Sequence, residues 1–421
     1  MSNILSVKAR QVFDSRGNPT VEAEVRTAKG VFTAIAPSGA SVGRHEALEL
    51  RDGGAAYLGK GVLKAVGNVN RLIAKAIVGM SCINQREIDK TLIELDGTEN
   101  KSRLGANATI AVSMAVCRAG AAEQRVPLYE HIARLFKNKR PLLPMPAFNI
   151  INGGRHAGNK LDFQEYLLIP KGAKSFAEAI QIATEVYHIL KDKLDRDLGT
   201  MATNVGDEGG FAPQLNCIEE PFDYILDAVN ELGYWKKIGL GVDAAATTFR
   251  EGNAYRVEGQ SYTTPELIAK YEELTKSYPL ISIEDPFHEE AFEDFAELNV
   301  RIGKRVQVVG DDLLTTNILR IKKALLHSSC TCLLLKPNQI GTLTESFEAA
   351  KVVLDAGWSV MVSHRSGESE DAFIADLAVG LGAGQIKAGA PCRGERLAKY
   401  NRLLRIEEEL GRKAKLAKFP K

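Results

Sequence analysis

Apolar residues in the second half of the chain come in short runs, and five of these runs end on a residue able to do chemistry. They read Ile281-Ser282-Ile283-Glu284-Asp285, Val306-Gln307-Val308-Val309-Gly310-Asp311-Asp312, Leu333-Leu334-Leu335-Lys336, Val360-Met361-Val362-Ser363-His364-Arg365-Ser366 and Gln385-Ile386-Lys387. The endings recur about every 23 to 28 residues, with an amphipathic helical pattern in each gap. Strands alternating with helices at that pitch predict parallel βα units. Eight such units closed into a barrel bring every strand's C-terminal end to one mouth. The pattern therefore predicts an α/β chain with a (β/α)8-type barrel, whose mouth gathers carboxylates, lysines, a histidine, an arginine and a serine.

The pattern changes upstream. Val21-Glu22-Ala23-Glu24-Val25 alternates apolar and polar, the period of a half-buried antiparallel strand, and Lys29-Gly30 turns into a second strand, Val31 to Ile35. An alanine-rich helix follows from Ala106 to Ala122. Residues 1–136 thus read as an N-terminal α+β lid domain. Lys137-Asn138-Lys139-Arg140-Pro141 reads as a linker, and 142–421 as the barrel domain. The first barrel strands are predicted at Ala147 to Ile151 and Leu161 to Ile169, with a further strand from Ile238 ending on Asp243. Ser175-Phe176-Ala177-Glu178 has capping-box spacing before a helix that stops at Gly199. Thr264-Pro265 opens another helix, running to Ser277.

Composition narrows the picture only a little. The 421 residues are 45% hydrophobic and 25% charged, ordinary for a chain with a sizeable core. A net charge of +1 gives no argument for nucleic acid or an anionic membrane. No apolar run is long enough to span a membrane, and the N-terminus has no apolar signal core. Six cysteines without CxxC spacing argue against zinc or a disulfide framework and fit a reducing cytoplasm.

Asp243, Glu284 and Asp311 end three successive predicted strands. At about 4 Å and an effective dielectric near 20, each close pair of acids costs roughly 4 kcal/mol, and a divalent cation reverses that sign. Oxygen ligands alone suit Mg²⁺ better than Zn²⁺. Lys336 follows three leucines, so burial is expected to depress its pKa and make a neutral amine, a general base, accessible. Glu208, in the glycine-rich Gly206-Asp207-Glu208-Gly209-Gly210, can serve as a general acid if its pKa is raised. His364, Arg365, Ser366 and Lys387 together make an anion pocket. His156, Gln164 and Glu165 lie near the early strands, and Ser38-Gly39-Ala40-Ser41-Val42-Gly43 is a small-residue loop without a nucleotide-loop ending.

These stretches are similar to the enolase family. Asp14-Ser15-Arg16-Gly17-Asn18-Pro19-Thr20, Ser38-Gly39-Ala40-Ser41, Leu95-Asp96-Gly97-Thr98, Gly206–Gly210, Ser282-Ile283-Glu284-Asp285, Lys336-Pro337-Asn338-Gln339-Ile340-Gly341 and Ser363-His364-Arg365-Ser366-Gly367-Glu368 resemble its motifs in order. The resemblance implies an enolase-type barrel with atypical first strands. It also implies Mg²⁺-dependent, reversible dehydration of 2-phosphoglycerate to phosphoenolpyruvate in glycolysis and gluconeogenesis. Lys336 resembles the proton acceptor and Glu208 the proton donor. Asp243, Glu284 and Asp311 match the tighter Mg²⁺ site, and Ser41 matches a ligand of a second Mg²⁺ that arrives with substrate. His156, Gln164, Glu165, Arg365, Ser366 and Lys387 match substrate-contacting positions, with His364 beside them. By the same resemblance the chain is a homo-oligomer, dimeric or octameric. A secondary cell-surface pool binding plasminogen is a further expectation, since Lys421 is a C-terminal lysine.

The chain departs from the family at Val42, where threonine is usual, at Ala244-Ala245-Ala246-Thr247-Thr248 after Asp243, at Ala388, and in a short basic tail. Two other readings stand beside the main one. A sister enzyme of the same superfamily is expected to carry a Lys-x-Lys pair on an early strand, where this chain has Leu161-Asp162-Phe163-Gln164-Glu165. A non-catalytic binding protein could keep the fold without the reaction.

Overall fold

The computed structural model describes residues 2–40 and 43–420. Ser6–Phe13 (β1), Pro19–Thr27 (β2) and Gly30–Ile35 (β3) form an antiparallel sheet in the order β1-β2-β3. The alternation read at Val21 to Val25 is real: Val21, Ala23 and Val25 are buried against the helix Ala106–Glu123, with Glu22 and Glu24 on the other face. That helix is buried almost all round, which is why its sequence is alanine-rich rather than amphipathic.

Eight strands close the barrel. They are Met145–Asn152 (β4), Glu165–Ile169 (β5), Gly239–Asp243 (β6), Leu280–Glu284 (β10), Gln307–Gly310 (β11), Cys332–Leu335 (β12), Ser359–Ser363 (β13) and Gly384–Lys387 (β14). Between β6 and β10 a small sheet, Arg250–Glu251 (β7), Ala254–Val257 (β8) and Gln260–Tyr262 (β9), stands outside the barrel. One strand breaks the parallel rule. β5 pairs antiparallel with both β4 and β6, whereas every other neighbouring pair is parallel. The β4–β5 connection contains only a short turn, Gly154–His156, and no crossover helix, so the chain returns as a hairpin does. Two helices in succession, Phe176–Leu198 and Glu220–Glu231, then carry it to β6.

Ser175 caps the first of these helices by accepting from the Glu178 N–H at 3.0 Å. The reciprocal half of the predicted capping box is not made. Glu178 accepts instead from the Lys174 N–H and from Lys237, and Glu407 takes the free Phe176 and Ala177 N–H groups. The helix at Thr264–Ser277 begins with a complete box, Thr263 with Glu266.

The pleat explains why the runs are apolar on both faces and why their ends are chemical. On β12, Leu333 and Leu335 pack outward on the main core, while Cys332 and Leu334 fill the barrel interior with Val309, Met361, Leu167 and Met145. A period of two then carries Lys336 inward. The same count turns Asp311 inward after Val309 and Ser363 inward after Met361. Burying both faces of a parallel strand demands the near-continuous leucine run that the sequence shows.

His131, on the helix Leu128–Phe136, is buried with neither ring nitrogen hydrogen-bonded among the described residues. Burial, then Arg134, lowers its pKa from 6.5 to about 4. A lowered histidine favours the folded state above pH 6.5, and that advantage is lost as pH falls through 6.5 to 4, about 3 kcal/mol at full effect. His131→Leu is expected to flatten the acid limb of stability in that window. Urea unfolding at several pH values checks it, and an unchanged slope would refute it.

Candidate active site

The mouth collects residues from nearly every barrel strand. Glu165 opens β5, which is why a reversed strand still delivers its carboxylate there. Asp243, Glu284 and Lys387 are the last residues of β6, β10 and β14. Asp311, Lys336 and His364-Arg365-Ser366 directly follow β11, β12 and β13. One pocket is lined by His156, Gln164, Glu165, Glu208, Asp243, Asp311, Lys336, His364, Arg365, Ser366 and Lys387, with Gly39 and Ala40 reaching in from the N-terminal region. Glu284 lies just outside this lining, with the Lys387 ammonium 2.8 Å from both its oxygens. Ser41 lies outside the described residues, as does Val42.

The loop that brings Gly39 is tied to the mouth by backbone. Ser38 and Gly367 exchange reciprocal N–H to carbonyl bonds of 2.8 Å. A Cβ at position 367 would sit 2.6 Å from Asp14 Oδ2 and 2.7 Å from the Ser38 carbonyl, so only glycine lets the strands approach.

Charges are paired across the barrel rather than along the chain. Lys387 Nζ lies 2.8 Å from Glu284, 3.1 Å from Glu165 and 3.5 Å from Asp243. Burial works against the ammonium, but Glu165, Glu284 and Asp243 outweigh it and hold its pKa well above the ordinary value. Lys336 Nζ donates to Asp311 Oδ2 at 2.5 Å, and Gln339 Nε2 donates to the other oxygen at 2.9 Å. This corrects the expectation of a depressed lysine. Burial does lower Lys336, but Asp311 beside it prevails and the pKa is raised. The partner comes from another strand, 25 positions away, and no local pattern announces it.

Glu208 differs from expectation in a related way. It accepts from Asn149 Nδ2 at 2.9 Å and lies 3.2 Å from His364 Nε2 and 3.6 Å from His156 Nδ1. Burial raises its carboxyl, but His364, His156 and Arg396 outweigh it and hold it well below the usual range. Glu165, within 4.8 Å, goes the other way: burial and then Glu208 push it well above. The two close carboxyls are thus driven apart, Glu165 upward and Glu208 downward. Burial lowers both histidines, His364 to about 4, against the pull of Glu208 on each. Arg396 Nη1 donates to His364 Nδ1 at 2.7 Å, which leaves the His364 proton on Nε2, facing Glu208.

The donor set fits a metal. Burial, then Asp243, pushes Glu284 well above the usual range, with Glu165 and Asp311 adding to it; only Lys387 opposes them among its main causes. Buried acids in such excess favour a divalent cation. Among the described residues the acids gathered within 4.8 Å of one another are Asp285, Asp311 and Asp312, not the trio Asp243, Glu284 and Asp311, whose oxygens are taken up by the two lysines. The Ser366 hydroxyl is buried with no hydrogen-bond partner among the described residues, as expected of a group aimed at a ligand.

Sequence reasoning did not find the supports. Glu46 accepts from Arg365 at 2.8 and 3.1 Å, both side chains being buried. Arg396, fully buried, donates to the Arg365, Ser366 and Asp207 carbonyls at 2.6, 2.6 and 2.9 Å. Asp285 accepts from the Asp311 and Asp312 N–H groups at 2.9 and 2.8 Å.

Residues 140–419 match the family model "Enolase, C-terminal TIM barrel domain", and residues 4–132 match "Enolase, N-terminal domain". A curated protein of Solanum lycopersicum named "Enolase" is 54% identical over 430 residues, covering 98% of this chain and 97% of that protein.

Proposed function

The chain belongs to the enolase family, and on that premise we propose how its barrel mouth performs the family's reaction. The protein is a lyase, a phosphopyruvate hydratase that converts 2-phosphoglycerate and phosphoenolpyruvate into one another. The observation that carries the residue assignment is the convergence of Lys336, Glu208, Arg365, Ser366 and Lys387 on one buried pocket.

In this reading Arg365 and Ser366 take the substrate phosphate, the guanidinium as a planar fork and the orphaned hydroxyl as a donor. His156 and Gln164 close the same pocket around the substrate. Lys336 removes the proton α to the substrate carboxylate. Burial pulls Lys336 toward the neutral amine and Asp311 pulls it back, so a ligand that drew on the Asp311 oxygens would favour the base form. Lys387 faces the negative charge that builds up on the substrate carboxylate. Glu208 hands a proton to the departing hydroxyl, and His364 holds Glu208 in place.

Enolases are metal-dependent in general. Asp243, Glu284 and Asp311 are the proposed holders of Mg²⁺, chosen by their oxygen-only chemistry, with Ser41 toward a second ion. Bound there, a divalent cation would supply positive charge beside the substrate carboxylate. The division into residues 1–136 and 142–421, a homo-oligomeric state (dimer or octamer) and a cytoplasmic location complete the proposal. No helix among the described residues is long and apolar enough to cross a membrane. Plasminogen binding at a surface pool would rest on Lys421, which lies outside the described residues.

The test is to add 2-phosphoglycerate and follow the ultraviolet absorbance of the conjugated product. Turnover is expected with Mg²⁺, none after chelation, and recovery on adding Mg²⁺ back. Asp311→Ala is expected to weaken activation by Mg²⁺ about tenfold or more. Wild-type Mg²⁺ dependence in that variant would place the metal elsewhere.

A further inference from the structure

The stretch Lys336-Pro337-Asn338-Gln339 leaves β12 as a short turn, and Gln339 at its end is fully buried. Its Nε2 donates to Asp311 Oδ1 at 2.9 Å and reaches Glu46 Oε1 at 3.5 Å. Its Oε1 accepts from the Thr316 hydroxyl at 2.9 Å. The amide has one way to sit. Flipped, its oxygen would face carboxylate oxygens, acceptor against acceptor. Neither Gln339 nor Thr316 lines the pocket, so each acts through another residue.

Thr316 sits in the turn after β11, where Thr315 and Thr316 stand at φ +45 and +54, both fully buried. That region is costly for β-branched side chains, and residues held in it cluster where geometry matters to function. The hydrogen bonds of Thr316 account for its place. Its Oγ1 accepts from the Lys336 N–H at 3.0 Å. The Lys336 carbonyl already takes the Gln339 N–H at 2.9 Å, so the one hydroxyl proton goes to Gln339 at 2.9 Å, not to that carbonyl at 3.3 Å. Lys336 Nζ on Asp311 Oδ2 at 2.5 Å then closes a circuit: Lys336 backbone, Thr316, Gln339, Asp311, Lys336 ammonium. Both ends of this lysine are anchored on the segment that follows β11.

We propose that Gln339, oriented by Thr316, is a positioning residue for proton abstraction: it fixes the rotation of the Asp311 carboxylate and, through it, the line along which the Lys336 amine enters the mouth. The proposal rests on the reading of Lys336 as the base. Without Gln339, the Asp311 carboxylate can turn about its side-chain bond, and the amine follows it. A misplacement of about 1 Å is enough to cost on the order of 10²-fold in rate. Gln339 also joins the base to the phosphate fork, because Glu46, within its reach, holds Arg365. One buried amide thus ties together the two ends of the mouth that must address the same substrate.

The experiment compares the whole protein with Gln339→Met, Thr316→Val and Thr316→Ser at saturating Mg²⁺. It reads kcat, KM for 2-phosphoglycerate, α-proton exchange, and the isotope effect on kcat with substrate deuterated at the α-carbon. Gln339→Met is expected to lower kcat and exchange about tenfold to hundredfold, the usual worth of a group that orients a ligand side chain. KM should stay unchanged, because the Arg365–Glu46 pair is intact. The isotope effect should rise, because abstraction becomes the slow step. Thr316→Val should act in the same direction, and Thr316→Ser, which keeps the hydroxyl, should restore the rates. A variant that merely folds poorly loses active protein and leaves the isotope effect where it was. An unchanged isotope effect, wild-type exchange in Gln339→Met, or a Thr316→Ser as slow as Thr316→Val would overturn the proposal. Wild-type kcat at saturating Mg²⁺ would do so too, by assigning Gln339 to metal affinity alone. Failure of the base reading is separate, since it shows as wild-type exchange in Lys336→Ala.

Discussion

Lys336→Ala is expected to cut turnover by about 10²–10⁴-fold, the usual worth of a general base. It should also abolish exchange of the substrate's α-proton with solvent. Lys336 is the basic side chain that β12 turns into the mouth, and no other residue on that strand can take its place. Glu208→Gln is expected to separate the two halves of the reaction. Dehydration should slow by a similar factor, because the leaving hydroxyl loses its proton donor, while α-proton exchange stays measurable. Following isotope exchange and product absorbance together decides the matter. If both variants lose exchange equally, the roles of acid and base have been exchanged or misassigned.

Glu46→Ala carries the largest expected effect on stability. The substitution leaves the buried Arg365 without its main anion. Removing one partner of a buried pair costs about 3–5 kcal/mol, mostly the penalty of the charge left behind. Arg365 is also the proposed phosphate fork, so KM for 2-phosphoglycerate should rise with it. Urea unfolding measures the first effect and steady-state kinetics the second. A destabilised variant with an unchanged KM would show that Arg365 keeps its place without Glu46.

Much of the mouth is readable in the chain because the strands are regular. Asp243, Glu284, Asp311, Lys336 and Lys387 stand at strand ends, and the pleat of two residues turns the ends inward. What escaped reading depends on contacts between strands or between domains. The reversal of β5 comes from a connection without a helix, and an apolar run does not reveal its direction. Arg396 lies among acids and bases on the helix Gly394–Leu410, where a solvated face is the natural reading, yet it is fully buried. Glu46 sits in a segment without periodicity. The protonation of Lys336 and Glu208 went against expectation for one reason: burial was visible from the neighbouring leucines and glycines, but the opposing partners were not.

The inverted second strand has a consequence for how such a molecule can be assembled. A ring built of one repeated unit can be cut into equivalent arcs, and copies of one arc can stand in for another. Here the arc containing Glu165 runs counter to the rest and supplies its acid from the start of its strand, so a chimera that replaced it with a duplicate of any other arc would repeat that arc's end residue at the mouth and lose Glu165. Gene fusions of half-barrels should therefore close, if they close at all, without a complete constellation.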